Sequence, residues 1–522
     1  MATAVISLRR LRRATAFGAP LAIAGLASFL FVRLLPDVAR KPLHEDGAVA
    51  GLISARPLSE LLHTVALERG GAPLHFLLAH LTLGIDSSPE ALRWLSVVFA
   101  LATVPLCYDL ARRLGGPLAG LTAAALAATS QLLAIYGTFG RMYSLFAFAS
   151  ALAADLFVRA LGKRDRRTAV AAATAALLPL AVHPFGAFLF GAEVAVAAWL
   201  WRDRDLRRAL PVLGVASCAL LLLLADLRLS GRYAPEAWDD LTGGYSAFEA
   251  GLRSLGGAAG GSGLVFGVFA VLAAIGVAGL MRKQPAVATF ALLAIVFPPI
   301  VLAVGAVTGA TADRLGPRHL IFALPLWIGL VAVGVGRIAL KVPEKVRLAL
   351  PMAVVVVAVL APSAISDPRT ISTGETGAVE AGAAWLKGHV LPGDVLYPYS
   401  PVFLAALPET GDARTFPREP VALERALPRT GRVGSMFVSL PLPEGIAAAV
   451  VEELRGSGVE ARKLGSWLIL RDAGPFRGGR EALASTARML QKAGPPIAGT
   501  PVAHAYLVQL RGTACQALRD GC

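Results

Sequence analysis

Apolar runs of about 20 residues recur along the first two thirds of the chain, separated by short clusters of arginine and lysine, and this pattern restricts the sequence to a membrane fold. The runs fall at 15–35, 91–111, 117–136, 143–161, 168–183, 185–201, 209–227, 263–281, 286–308, 319–340 and 348–366. Only 16% of the 522 residues are charged, whereas a soluble protein carries roughly 25%. Mean hydropathy is +0.63. The expected fold class is therefore a polytopic α-helical membrane protein.

Charge sets its expected orientation. The formal net charge is +15, but the basic residues lie in short groups between apolar runs, as in cytoplasmic loops, so nucleic acid is not the expected partner. The segment 73–85 is short for a crossing and reads as an interfacial or re-entrant helix. With it left out of the count, the clusters at 9–13, 112–113, 163–167, 202–208, 282–283 and 341–347 share one side; counting it as a span scatters them. About eleven spans follow, in the cell membrane, with the N-terminus cytoplasmic. The first apolar run is too long for a signal-peptide core and Leu34-Leu35-Pro36 lacks small residues for cleavage, so it reads as a retained span.

The outer segments are then 36–90, 137–142, the turn at His183-Pro184, 228–262, 309–318 and everything past 367. Residues 1–366 form the membrane module. From 367 to 522 the long runs stop, and strand-like pieces (394–397, 435–438, 467–470) alternate with helix-like ones (378–387, 446–455, 481–492), which predicts an extracytoplasmic α/β domain with Leu468, Ile469 and Leu470 in a central strand. The glycine-rich stretch 256–263 reads as a loop or a tight helix entry. The four cysteines form no CxxC metal signature; Cys515 and Cys522 either pair outside the cell or remain thiols.

The first outer loop carries Glu45-Asp46-Gly47, then Pro57-Leu58-Ser59-Glu60-Leu61-Leu62 and Ala72-Pro73-Leu74-His75-Phe76-Leu77-Leu78. Further on come Ala91-Leu92-Arg93-Trp94-Leu95-Ser96, Arg112-Arg113-Leu114-Gly115-Gly116, Gly140-Arg141-Met142-Tyr143-Ser144-Leu145, His183-Pro184-Phe185-Gly186 and Pro317-Arg318-His319-Leu320. In order and spacing these pieces resemble the GT-C superfamily of membrane glycosyltransferases, in particular bacterial relatives of protein O-mannosyltransferases and lipid A aminoarabinose transferases. The resemblance covers about two thirds of the chain. It implies a first outer loop of interfacial helices, a polyprenyl-phosphate sugar donor, a lipid, glycan or protein acceptor, and an acidic loop residue acting as base or metal ligand. Two departures stand out: the usual Asp-Glu order is Glu45-Asp46 here, and the position two before Arg141, often acidic in relatives, is Phe139. The second departure puts dependence on a divalent metal ion in doubt.

Moving a sugar from a lipid phosphate to a hydroxyl needs a base, cations for the departing phosphate and a groove for the carrier. Asp46 is the candidate base, the other reading being a solvated acid or a helix cap; Glu45 is its neighbour or a metal ligand. Arg141 and Arg318, at outer ends of spans, suit phosphate through their planar guanidinium groups, or simply snorkel to water. Tyr143 stacks on a sugar or belongs to an aromatic belt. His183 and His319 donate to phosphate and sugar hydroxyls or are structural, and His75 is a further candidate. Glu193, in the middle of an apolar run, faces the bundle interior, where it touches the donor or pairs with His183. Asp226 and Asp313 are secondary. A secondary transporter or lipid flippase coupled through Glu193 is the alternative function, but the chain shows neither an internal repeat nor paired helix breaks.

Overall fold

The computed structural model describes residues 2–40, 43–68, 72–163, 165–201, 245–261, 263–308, 316–364, 373–398, 414–415, 430–442, 444–465 and 467–493. Its membrane part begins with α1 (Ala2–Arg40), followed by three short helices, α2 (Glu45–Ser54), α3 (Leu58–Glu68) and α4 (Leu74–Ile85). There follow α5 (Pro89–Gly115), α6 (Pro117–Thr129), α7 (Gln131–Tyr136), α8 (Tyr143–Lys163), α9 (Arg166–Val182) and α10 (Gly186–Trp201). After the span expected at 209–227, which lies outside the described residues, come α11 (Ala247–Ala258), α12 (Gly263–Lys283), α13 (Pro285–Val307), a 3-10 segment (Pro317–Ala323), α14 (Leu324–Ala339) and α15 (Ala349–Leu360).

Among the described residues six helical stretches are long and apolar enough to cross a bilayer: Gly18–Val38, Glu90–Gly115, Tyr143–Lys163, Gly263–Lys283, Pro285–Gly305 and Pro317–Ala339. The protein is thus a multi-pass membrane protein, while the expected total of about eleven spans is not established by helix length. Three runs differ from expectation. The run 117–136 breaks at Ser130, whose hydroxyl leaves the helix geometry to accept from the Leu133 amide at 3.2 Å and donate to the Gly257 carbonyl at 3.0 Å. The run 319–340 opens as a 3-10 helix, and 348–366 yields a helix of only 12 residues. Segment 74–85 is a separate 12-residue helix, as its length predicts. The glycine-rich stretch 256–263 is a tight helix entry, with Gly260 and Gly261 at positive φ between α11 and α12.

α5 packs against α6, α8, α1 and α14, and α12 lies along α14. The last contact is close enough that a Cβ on Gly276 or Gly334 would run into the backbone of the facing helix at Leu330 or Leu272, the small-residue approach by which helices associate in lipid. Two arginines satisfy helix ends: the exposed Arg33 donates to the Thr129 carbonyl at 2.9 Å and the buried Arg93 to that of Val38 at 2.8 Å. At 21 residues α8 is about 31 Å long, matching the hydrocarbon thickness. One of its ends holds Tyr143. Toward the other, the buried Asp155 pairs with Arg113 at 2.8 Å and Arg159 at 2.7 Å, and Asp109 pairs with Arg112, Arg113 and Arg159.

The C-terminal region comprises α16 (Thr373–His389), β1 (Val395–Pro398), β2 (Arg414–Thr415), β3 (Met436–Pro441), α17 (Glu444–Glu453), β4 (Val459–Leu464), β5 (Trp467–Asp472) and α18 (Gly479–Ala493). The sheet order is β2-β1-β3-β5-β4, with β1 parallel to β2 and β3, and β5 antiparallel to both β3 and β4. Alternate residues separate two apolar faces. Val395, Val438, Leu468 and Leu470 pack with α17 and α18, while Phe437, Trp467 and Ile469 pack with Trp385 and Leu386 of α16. Leu52 of α2 joins this second cluster, so the short helices after α1 and the C-terminal sheet region meet on one side of the helix bundle.

Candidate active site

The local fold first fixes α2. His44 caps it, its Nδ1 accepting from the Asp46 amide at 3.2 Å, and Gly47 lets the first turn lie directly on the segment 137–142. A Cβ on Gly47 would sit 2.8 Å from the Phe139 carbonyl oxygen and 3.3 Å from Leu43 Cδ2. Gly140, at φ +72, turns that segment so that Arg141 faces back toward α2. Arg318 arrives from the 3-10 segment ahead of α14.

These three pieces bring Asp46, Arg141 and Arg318 together. Asp46 Oδ1 lies 3.8 Å from Arg141 Nη1, and Asp46 Oδ2 lies 3.5 Å from Arg318 Nη2. Arg141, only 6% exposed, also donates through Nη1 to the Asp46 carbonyl oxygen and directs Nε at Met142 Sδ. Asp46 and Arg318 keep 29% and 23% of their side-chain surface, while Oδ2 of Asp46 and Nε of Arg318 are themselves buried, so the site is partly open. Two buried rings support the cations: Arg141 Cζ stands 5.9 Å from the Phe76 ring and Arg318 Cζ 5.7 Å from that of Tyr143.

Behind the charged groups lies an aromatic and imidazole layer. Tyr143 makes edge contacts with Tyr136, Phe139 and His319, and His183 stacks on Phe146 and stands 5.7 Å from His319. Nδ1 of His183 accepts from the Phe185 amide at 3.1 Å and Nδ1 of His319 from the Gly316 amide at 3.1 Å. A ring nitrogen that accepts from an amide leaves the proton on Nε2, so both are neutral donors. Burial, reinforced by the charges of Arg141 and Arg318, pushes His183 down to about 3.

Of the residues singled out from sequence, Asp46, Arg141, Arg318, Tyr143, His183 and His319 thus adjoin one another. His75 is buried and adjoins the Phe76 ring, over which the Arg141 guanidinium also lies. Glu45 opens α2 but its side chain lies outside the described part, as do Asp226 and Asp313 entirely. Glu193 is buried in α10, and its Oε1 has no hydrogen-bond partner among the described residues, His183 included. His44 was not expected. Its ring packs on Phe139 with centroids 4.8 Å apart and its Nδ1 lies 3.9 Å from Asp46 Oδ2. The only sequence signal was its position just before the acidic pair.

The charged and imidazole groups nearest the Asp46 carboxylate among the described residues are Arg141, Arg318 and His44, and no group of three His, Cys, Asp or Glu side chains with metal-holding geometry gathers among those residues.

Comparison with known proteins places this arrangement. The model of the dolichyl-phosphate-mannose-protein mannosyltransferase family matches residues 70–227. No curated protein sequence matches the chain. Among solved structures, ArnT from Cupriavidus metallidurans bound to undecaprenyl phosphate superposes with a TM-score of 0.56 at 15% identity, over 88% of this chain and 99% of that one. Its apo form gives 0.57 at 14% identity, over 89% and 100%. The apo oligosaccharyltransferase of Archaeoglobus fulgidus gives 0.51 at 12% identity, over 82% of this chain and 70% of that one. The chain therefore shares the fold of ArnT and of the archaeal oligosaccharyltransferase, with a small sheet in its C-terminal region.

Proposed function

We propose that the protein is a glycosyltransferase that moves a sugar, a hexose or a pentose, from a polyprenyl-phosphate donor to an acceptor hydroxyl at the extracytoplasmic face. The observation that carries this reading is the meeting of one partly exposed carboxylate with two guanidinium groups, from three separate segments, at one end of the helix bundle. The ArnT structure with undecaprenyl phosphate supports the carrier class. On this reading Arg141 and Arg318 hold the donor phosphate. Asp46 takes the proton of the acceptor hydroxyl as its oxygen attacks the anomeric carbon. The bond from that carbon to the phosphate oxygen breaks, and its electron pair leaves on the polyprenyl phosphate, whose charge the two arginines meet.

The pairing of both arginines with Asp46 fits this sequence of events. A guanidinium beside a carboxylate favours its charged, weakly basic form, and an entering phosphate competes for the same cations. Donor binding thereby frees the base for the acceptor. Membership of the acceptor in the lipid, glycan or protein class falls to the outer loops and the C-terminal region, which reaches α2 through Leu52.

Binding of polyprenyl phosphate to Arg141→Lys and Arg318→Lys variants tests the phosphate assignment. Lysine keeps the charge and loses the planar fork, so each variant should bind roughly 10-fold more weakly or worse. Wild-type affinity in both would overturn it. If instead the purified protein transferred no sugar and Glu193→Gln abolished movement of lipid across the bilayer, the protein would be a transporter.

A further inference from the structure

His75 is the second residue of α4, 2% exposed, and its Nε2 is buried without a hydrogen-bond partner among the described residues. Folded proteins leave few buried polar atoms in that condition, and those that remain are concentrated where a ligand, a water or a catalytic role accounts for them. The surroundings point to a ligand. The His75 ring stands 5.7 Å from that of Phe76, and the Arg141 guanidinium lies over that same ring at 5.9 Å. His75 and Arg141 thus adjoin the same ring, close enough for the Arg141 charge to act on the imidazole, and Arg141 adjoins Asp46, which adjoins Arg318.

Burial first, and the Arg141 charge second, push the His75 imidazole down to about 3, so the ring is neutral. A neutral ring can offer an N–H to an anion without adding a third positive charge beside the two arginines. We propose that His75 is a further ligand of the donor phosphate, donating through Nε2 beside Arg141. This rests on the reading of Arg141 and Arg318 as the phosphate-holding pair. Its consequence is that α4, otherwise an apolar helix, contributes directly to recognition of the lipid headgroup.

The experiment uses the full-length protein in lipid nanodiscs with undecaprenyl phosphate as probe. Histidine is labelled with ¹⁵N, and the His75 resonances are identified by their loss in His75→Phe. The wild-type Nε2 resonance should move on saturation with the probe, and His75→Phe should weaken binding roughly 10-fold or more, as expected for a hydrogen bond to a charged group. His75→Gln, which restores an N–H, should recover part of the loss. An unmoved Nε2 resonance, or a His75→Phe affinity within about twofold of wild type, would overturn the proposal even where Arg141→Lys binds weakly. Wild-type affinity in Arg141→Lys and Arg318→Lys would instead remove the phosphate reading beneath it. If His75→Phe does not fold, the wild-type resonance and His75→Gln decide. The same movement with inorganic phosphate at equal concentration would overturn assignment to the lipid carrier.

Discussion

Gly47→Ala sets two effects of opposite sign against each other. In an exposed helix the change should stabilise by about 0.5–1 kcal/mol, because glycine loses more backbone freedom on folding. Here the added Cβ would stand 2.8 Å from the Phe139 carbonyl oxygen. Ordinary contact begins near 3.4 Å, so the first turn of α2 and the 137–142 segment must separate by about 0.6 Å. The obstacle is backbone, with no side chain to rotate away, and overpacking of this kind costs about 1–3 kcal/mol. The steric effect wins. Because Asp46 adjoins Gly47 and Arg141 lies in the opposing segment, the same displacement loosens the carboxylate from its partner. A misplacement of about 1 Å lowers rates roughly 10²-fold, so a fall in turnover of about 10-fold is expected. The assay is sugar transfer from a labelled polyprenyl-phosphate donor in nanodiscs, alongside thermal unfolding of the same preparation. Gly47→Ala with a raised melting temperature and full turnover would refute the close packing of α2 on residues 137–142 as the device that sets the site.

Cysteines placed at Ser87 and Glu452 should react with an impermeant maleimide from outside intact cells, and one at Lys163 should not; labelling of Lys163→Cys from outside would contradict the orientation inferred from the basic clusters. His183 is held down to about 3 in the folded protein, against 6.5 when exposed. The unfolded chain then binds the extra proton, so the stability His183 contributes is complete above about pH 6.5 and is lost as pH falls from there toward 3. Melting temperatures measured across that range should decline on acidification and decline less in His183→Gln; equal slopes would show that His183 is not the titrating group.

The helical module is legible in the sequence because lipid demands long apolar runs and charge fixes their ends. The break at Ser130 is not legible, since the apolar pattern continues through it and only the tertiary partner at Gly257 explains it. Asp46, Arg141 and Arg318 could be picked out as charged residues at helix ends facing one side, but their spacing of 95 and more residues gives no distance between them. His44 escaped notice because serine, threonine, aspartate and asparagine are the usual N-cap residues. In the C-terminal region, Val459–Leu464 reads as polar, Val-Glu-Ala-Arg-Lys-Leu, yet forms an edge strand. Edge strands carry charge on their open side, so a search for apolar runs passes over them.

Asp46→Asn bears most directly on the account as a whole. The amide keeps the shape of the carboxylate and removes its basicity, while Arg141 and Arg318 remain to hold phosphate. Turnover should therefore fall by roughly 10²–10⁴-fold, and affinity for undecaprenyl phosphate should be retained or increased, since the competing carboxylate charge is gone. Sugar transfer by Asp46→Asn at the wild-type rate, with the donor at saturation, would contradict Asp46 as the catalytic base.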